Sequence, residues 1–149
     1  MTGEAGIIGR GQGNRSGPNN RAGIKPLDWI VRLEWAVVAV AAIVFYGATG
    51  VSWWFFALLI LAPDLSMLGY LGGPRLGAIA YNALHTLLVP VLLLLAGHLA
   101  GSAVGSAIAL IWIAHIVIDR ALGYGLKLST GFQDTHLGPI GRKRETFSP

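Results

Sequence analysis

The chain has no cysteine. Disulfides, thiolate metal ligands and a cysteine nucleophile are therefore excluded. Charge is nearly as scarce. Asp, Glu, Lys and Arg make up 12% of the 149 residues, about half the share usual in soluble domains. Residues 35–63 and 76–84 contain no Asp, Glu, Lys, Arg or His, and residues 86–114 contain only His98. Runs this long leave no polar face for a soluble helix to turn toward water. Also missing are a phosphate-binding glycine loop, a G-x-S-x-G elbow and an H-E-x-x-H helix. The commonest nucleotide, serine-hydrolase and zinc-protease signatures are thus absent.

What is present is apolar length. Hydrophobic residues reach 54% and mean hydropathy is +0.61. A helix crosses the ~30 Å hydrocarbon layer with about 20 apolar residues, and the chain holds four such stretches. The first helix starts near Pro26, because proline suits a first turn, and runs to about Tyr46. A turn at 47–50 leads to Ser52, Trp53 and Trp54, placed where tryptophans favour the membrane interface. The second helix continues to about Tyr70 and stops at Gly72, Gly73 and Pro74. The third covers about 76–96, with a kink expected at Pro90. The fourth covers about 103–122 and ends at Gly123. The expected fold is all-α, a polytopic four-helix membrane bundle spanning residues 24–125. Residues 1–23 read as a disordered polar tail without the apolar core of a signal peptide. Residues 126–149 read as a polar tail able to fold over the bundle.

The eleven Lys and Arg residues give a net charge of +4. All fall on one predicted side, including Arg32, Arg75, Arg120 and Lys127, and neither opposite turn carries one. The positive-inside rule then puts both termini in the cytoplasm and the protein in the inner (plasma) membrane. The basic balance thus points to a lipid bilayer as the partner, not to nucleic acid. The oligomeric state is left open.

Ionisable groups inside a bilayer are costly and usually face the bundle interior. Glu34 falls in the first helix. Asp64 falls in the second, about 9 Å from its end at ~1.5 Å per residue. Asn82 and His85 share a face of the third, and His115 and Asp119 share a face of the fourth. All belong to the cytoplasmic half, whereas His98 lies in the opposite turn, away from any such site. Asp134 and His136 follow in the tail, with Gly131 and Gly138 giving it freedom to fold back. Helix bundles build metal sites from such facing residues. Two imidazoles and two carboxylates suit a divalent transition metal, Zn, Fe or Mn. Asp64, His85, His115 and Asp119 are the expected ligands and catalytic groups, with His136 a fifth ligand. Asn82 or a carboxylate would hold the outer nitrogen of each imidazole. The same groups could act as acid and base without metal.

A shift of 51 places pairs Glu34 with His85 and Asp64 with His115, along with Gly50 and Gly101. This suggests two parallel helix hairpins. The spacing Gly73 to Gly77 and Gly101 to Gly105 fits close helix approach, but both lie beside turns.

Longer motifs carry a family likeness. LAPDLSMLGY at 61–70, YNALH at 81–85, AHIVIDRALGYGLK at 114–127 and GFQDTHLG at 131–138 resemble the domain of unknown function 4260 family of small bacterial membrane proteins. The resemblance spans residues 33–141 and implies a four-helix membrane protein, with no activity attached. The Asp-Thr-His element after a His-x-x-x-Asp helix also resembles membrane-bound metal-dependent hydrolases, over a shorter stretch. Three functions fit: a metal-dependent or acid–base enzyme, hydrolase-like, acting on a lipid or prenyl-type substrate; a small transport or ion-handling protein; or a structural partner subunit with a buried polar network.

Overall fold

The computed structural model describes residues 24–129, 134–135 and 138–139. Its order is α1 (Ile24–Ala48), α2 (Trp53–Leu59), a 3₁₀ helix (Ala62–Gly72), α3 (Pro74–Leu84), α4 (Leu88–Leu99) and α5 (Ala103–Leu122). A hairpin of β1 (Asp134–Thr135) and β2 (Gly138–Pro139) follows. These helices form four spans long and apolar enough to cross a membrane: Leu27–Ala48, Trp53–Gly72, Pro74–Leu99 and Ala103–Leu122. The protein is a multi-pass helical membrane protein. Leu58, Leu71, Leu99 and many other large apolar side chains are exposed, as expected where lipid, not water, is the solvent.

The second and third spans are not continuous helices. Proline explains both breaks. Its ring clashes with the carbonyl four residues back, and it has no N–H to bond there. Pro63 therefore opposes helix at Leu59, where α2 ends. Pro90 opposes helix at Thr86, between the end of α3 and the start of α4. The sequence placed a kink at Pro90 itself. The bend instead falls upstream, at residues 85–87, and Pro90 sits in the first turn of α4, where a missing N–H costs nothing. The second span departs further from an unbroken helix. After α2 it tightens to 3₁₀, which rises about 2.0 Å per residue. Asp64 thus lies about 16 Å along that segment from Gly72, deeper than an α-helix ending at Tyr70 would put it.

The fourth span, α5, is the central one. It packs along both α1 and α4, while α3 packs on the 3₁₀ helix. Small residues let α1 and α5 approach: Ala39 and Ala42 of α1 and Ala107 and Ala114 of α5 are all buried in the core. Tyr46 closes this core with its ring fully buried and its hydroxyl donating to the Ser52 carbonyl at 2.7 Å. Near the turn at Gly101, α4 and α5 come closer still. A Cβ on Gly97 would lie 2.8 Å from the Ser106 backbone nitrogen, so only glycine fits. At the other end, Gly123 caps α5 with φ +93°, a left-handed conformation natural to glycine.

The repeat suggested by the 51-place shift is expressed unevenly. Asp64 and His115 occupy one region, described below. Glu34 is exposed on α1, whereas its counterpart His85 is buried. The prolines break only the second and third spans.

Candidate metal centre

Each break delivers one ionisable side chain. Asp64 directly follows Pro63, in the first turn of the 3₁₀ helix. His85 is the residue that caps α3. Unbroken α5 supplies the other two, His115 and Asp119, one turn apart on the same face. Three spans therefore bring four side chains to one point.

The distances are short and nearly equal. His85 Nε2 lies 3.2 Å from His115 Nε2. Asp64 Oδ1 lies 3.4 Å from both of these nitrogens. Asp119 Oδ2 lies 3.7 Å from His85 Nε2 and 3.8 Å from His115 Nε2. One ligand atom from each residue falls within 4.8 Å of the other three. A tetrahedral ion with bonds of about 2.0–2.2 Å has ligand–ligand edges of about 3.3–3.6 Å. Five of the six edges here match that within a few tenths of an ångström. Charge agrees with geometry. Two carboxylates bring two negative charges, neutral imidazoles bring none, and a divalent cation balances them in a medium that tolerates no isolated charge. The residues present therefore fit a divalent metal.

Several side chains hold this arrangement. His85 Nδ1 lies 2.9 Å from the Tyr81 carbonyl. A carbonyl can only accept, so Nδ1 carries a proton, and in the neutral ring this leaves Nε2 with its lone pair inward, as a metal ligand requires. The Tyr81 ring stacks on the His85 ring at 3.7 Å and 12°, and its hydroxyl faces Asp119 Oδ2 at 3.4 Å. The break beside His85 also strips helical partners from backbone carbonyls, a costly loss within a membrane. Two of them are satisfied from α5. Trp112 Nε1 donates to the Leu84 carbonyl at 2.6 Å, and Arg120 donates to the His85 carbonyl at 3.2 Å. The helix that supplies two ligands thus also fixes the bend that aims a third.

Asn82 does not serve as the outer partner of an imidazole. Its side-chain amide makes two 2.8 Å bonds with the backbone of Lys127, one to the carbonyl and one from the N–H. It ties the segment after α5 to α3, and Lys127 in turn bridges to Thr135. Lys127 is buried, with its Nζ 5.4 Å from the centre of the Tyr81 ring. Burial pushes its ammonium below the usual lysine range, and the Asp119 carboxylate partly offsets this. Glu34 lies apart from the cluster, exposed among Ile30, Leu33, Val37 and Val38. His98 is exposed at the far end, beside Gly101 and Ser102. His136 lies outside the described residues, as does the side chain of Asp134.

Sequence reasoning missed Tyr81, Trp112 and Arg120. A signal for two of them existed. Trp112, His115 and Asp119 follow one helical stripe at spacings of three and four, and Tyr81 precedes His85 by one turn.

A family model described as Domain of unknown function (DUF4260) matches residues 28–140. The chain belongs to this family. The match begins one residue inside the first span and runs past the last, and every residue of the cluster falls within it. No curated protein and no solved structure matches the chain.

Proposed function

We propose that this DUF4260 protein binds one divalent transition metal through Asp64, His85, His115 and Asp119, and uses it to hydrolyse an ester-type bond in a membrane lipid or prenyl-type substrate. The observation that carries the reading is the near-tetrahedral set of donor atoms, with five edges of 3.2–3.8 Å. Those five edges join donors from three separate spans. The N₂O₂ donor set suits zinc best by geometry, with Fe and Mn as the other metals such ligands take. When bound, such an ion polarises a substrate oxygen and makes water acidic enough to act as a nucleophile near neutral pH.

The protein groups divide the remaining tasks. The imidazoles are almost fully enclosed, with side chains 2% and 5% exposed, whereas the Asp64 side chain is 39% exposed. Asp64 is therefore the ligand with room to swing aside, accept the proton released by attacking water and return it to the departing oxygen. The balance is that of hydrolysis: water oxygen bonds to the acyl carbon or phosphorus, the ester bond breaks, and the alcohol leaves with the proton. Tyr81 steadies Asp119 and His85 without touching substrate. The one-sided basic residues support a location in the inner membrane with both ends cytoplasmic, so the site would serve lipids of the cytoplasmic leaflet.

A second reading draws on a specific observation. Four protein ligands complete a tetrahedron, as structural sites do, whereas catalytic sites keep a position open. On that reading the ion staples three broken spans together, and the protein is a structural or partner subunit. Broken helices at membrane depth also occur where transporters bind their cargo, so ion handling is a third use of the same cluster. The test starts from the full chain purified in mild detergent, with metals quantified by mass spectrometry. The enzyme reading expects about one zinc-class ion per chain and metal-dependent release of lipid fragments from bilayer vesicles, lost in Asp64→Asn. A stoichiometric metal with no lipid turnover would favour the staple, and absence of any metal after zinc loading would overturn both.

A further inference from the structure

A small apolar cavity is lined by residues that neighbour the cluster along the chain. Its volume is about 190 Å³ and its lining includes Leu59, Pro63, Leu84, Ile108, Ile111 and Trp112. Its position follows from the two proline breaks. Leu59 and Pro63 flank the break in the second span, and Leu84 precedes the break in the third. Pro63 adjoins Asp64 in the chain, and Leu84 adjoins His85. On α5, Ile111 lies one turn from His115, and Ile108 lies nearly two. The cavity therefore runs from the charged cluster toward the Gly101 end of the bundle, at the depth of lipid chains.

We propose that this cavity seats the hydrocarbon chain of the lipid whose polar end meets the Asp64–His85–His115–Asp119 cluster. The inference rests on the hydrolase reading above and supplies its substrate class: a single-chain lipid or one chain of a diacyl lipid, bearing its reactive bond next to the chain. Size suits a hydrocarbon chain. A volume of 190 Å³ accommodates roughly six groups of methylene or water size at about 30 Å³ each. The lining is hydrophobic throughout. Its one strong donor, the Trp112 indole N–H, is already committed to the Leu84 carbonyl, so nothing in the wall asks for a polar ligand. Ile108, Ile111 and Trp112 form the part of the wall on α5 and set how far the chain can enter.

The cavity does not act by affinity. Lipid chains are already in hydrocarbon, so moving one into an apolar groove gains little free energy. What it supplies is register. The first carbons are held against two rigid helix breaks, and the bond that follows them falls at the cluster. Such orientation is a recognised source of rate, and it makes position along the chain, not total binding, the quantity to measure.

The experiment uses the full chain in detergent with zinc present and two photoreactive fatty acids as probes. One carries its diazirine near the carboxylate, the other near the methyl end. After illumination, labelled residues are mapped by mass spectrometry, and metal content is measured on the same sample. The expected result is labelling of Ile108, Ile111 or Trp112 by the first probe and not the second. Ile108→Trp, which fills the cavity, should lose that labelling while retaining its metal. Leu59→Trp fills the cavity from α2 and replaces that variant if its membrane yield falls. Val104→Trp, on an exposed part of α5, should leave labelling unchanged. Equal labelling by both probes, or labels spread over outward residues such as Leu58 and Val104, would overturn the proposal. Cavity labelling in a protein that holds no metal would support the chain seat and remove the hydrolase reading instead.

Discussion

Removing one imidazole should remove most of the metal-dependent stabilisation without unfolding the bundle. His115→Ala is the direct perturbation, since His115 Nε2 is within 3.2–3.8 Å of the other three donors. Structural zinc sites bind with about 10–16 kcal/mol. Shared evenly over four ligands, each accounts for roughly 2.5–4 kcal/mol, or about a hundredfold in Kd or more. The assay is thermal unfolding in detergent, with and without free zinc at a hundred times the wild-type Kd. There the wild type gains about 2.7 kcal/mol, and a site a hundredfold weaker keeps only about 0.4 kcal/mol. For a chain of this length the difference is roughly 5–9 °C in Tm. His115→Ala also opens a cavity in the core, so its baseline Tm will fall. The zinc-dependent increment is unaffected by that baseline shift. Asp64→Asn gives a gentler comparison, because it is isosteric and its side chain is 39% exposed. Its increment should shrink less than that of His115→Ala, since water can take the vacated place. A wild-type increment in His115→Ala would refute the assignment of this residue as a ligand. A larger loss in Asp64→Asn than in His115→Ala would refute the ranking by burial.

Trp112→Phe keeps an aromatic ring but strands the Leu84 carbonyl beside the bend. It should lower stability by about 0.5–2 kcal/mol, the span between measured intramembrane hydrogen bonds and a fully stranded group, and unchanged stability would show that the bend heals itself. Glu34→Gln should leave metal affinity within about twofold, because the side chain is exposed and apart from the cluster; a loss as large as that of His115→Ala would mean that α1 closes over the site. Lys127 predicts a pH dependence. Its folded-state pKa lies below its unfolded value near 10.5, so the unfolded segment binds more protons between the two. Docking of residues 124–129 should therefore tighten as pH rises through that window and weaken below it. Protease sensitivity of this segment at several pH values measures the trend. A Lys127→Met variant should flatten it, and a wild-type profile that loosens with rising pH would contradict the sign.

The sequence was informative wherever physics leaves few alternatives. Four apolar stretches bounded by glycine turns can only become four spans, and the positions of Gly101, Ser102 and Gly123 placed the limits of α5 closely. Ionisable residues at shared depth also narrowed the field, because hydrocarbon allows so few uses for them. Depth alone does not give azimuth, however. Glu34 has the right depth and turns outward, whereas Asp64 has it and turns in. The difference lies in how α1 packs on α5, through Ala39 and Ala42, and residue counting cannot see that. The 3₁₀ stretch was equally hidden. Pro63 announces that a helix must end near Leu59, but nothing in the residue pattern marks the tighter winding that carries Asp64 deeper against α3. Asn82, which shares a face with His85, is expected from spacing as one candidate partner for the outer nitrogen of an imidazole. It in fact binds a backbone segment distant in sequence, a choice made by tertiary structure.

The two broken spans and the charged cluster have one physical origin. A bilayer penalises both an interrupted helix and an isolated charge. Here each penalty is relieved by the same helix. Trp112 and Arg120 of α5 bond to carbonyls freed at the bend of the third span, while His115 and Asp119, between them on that helix, meet the side chains released at both breaks. If Pro90 did not interrupt the third span, His85 would continue a regular helix and its ring would lose the freedom that a helix end provides. If Pro63 did not interrupt the second, Asp64 would lie at a different height and angle. The prolines therefore do more than terminate helices. They convert two featureless apolar spans into supports that present an imidazole and a carboxylate at matching depth, and α5 supplies both the matching ligands and the hydrogen bonds that make such bends tolerable in hydrocarbon.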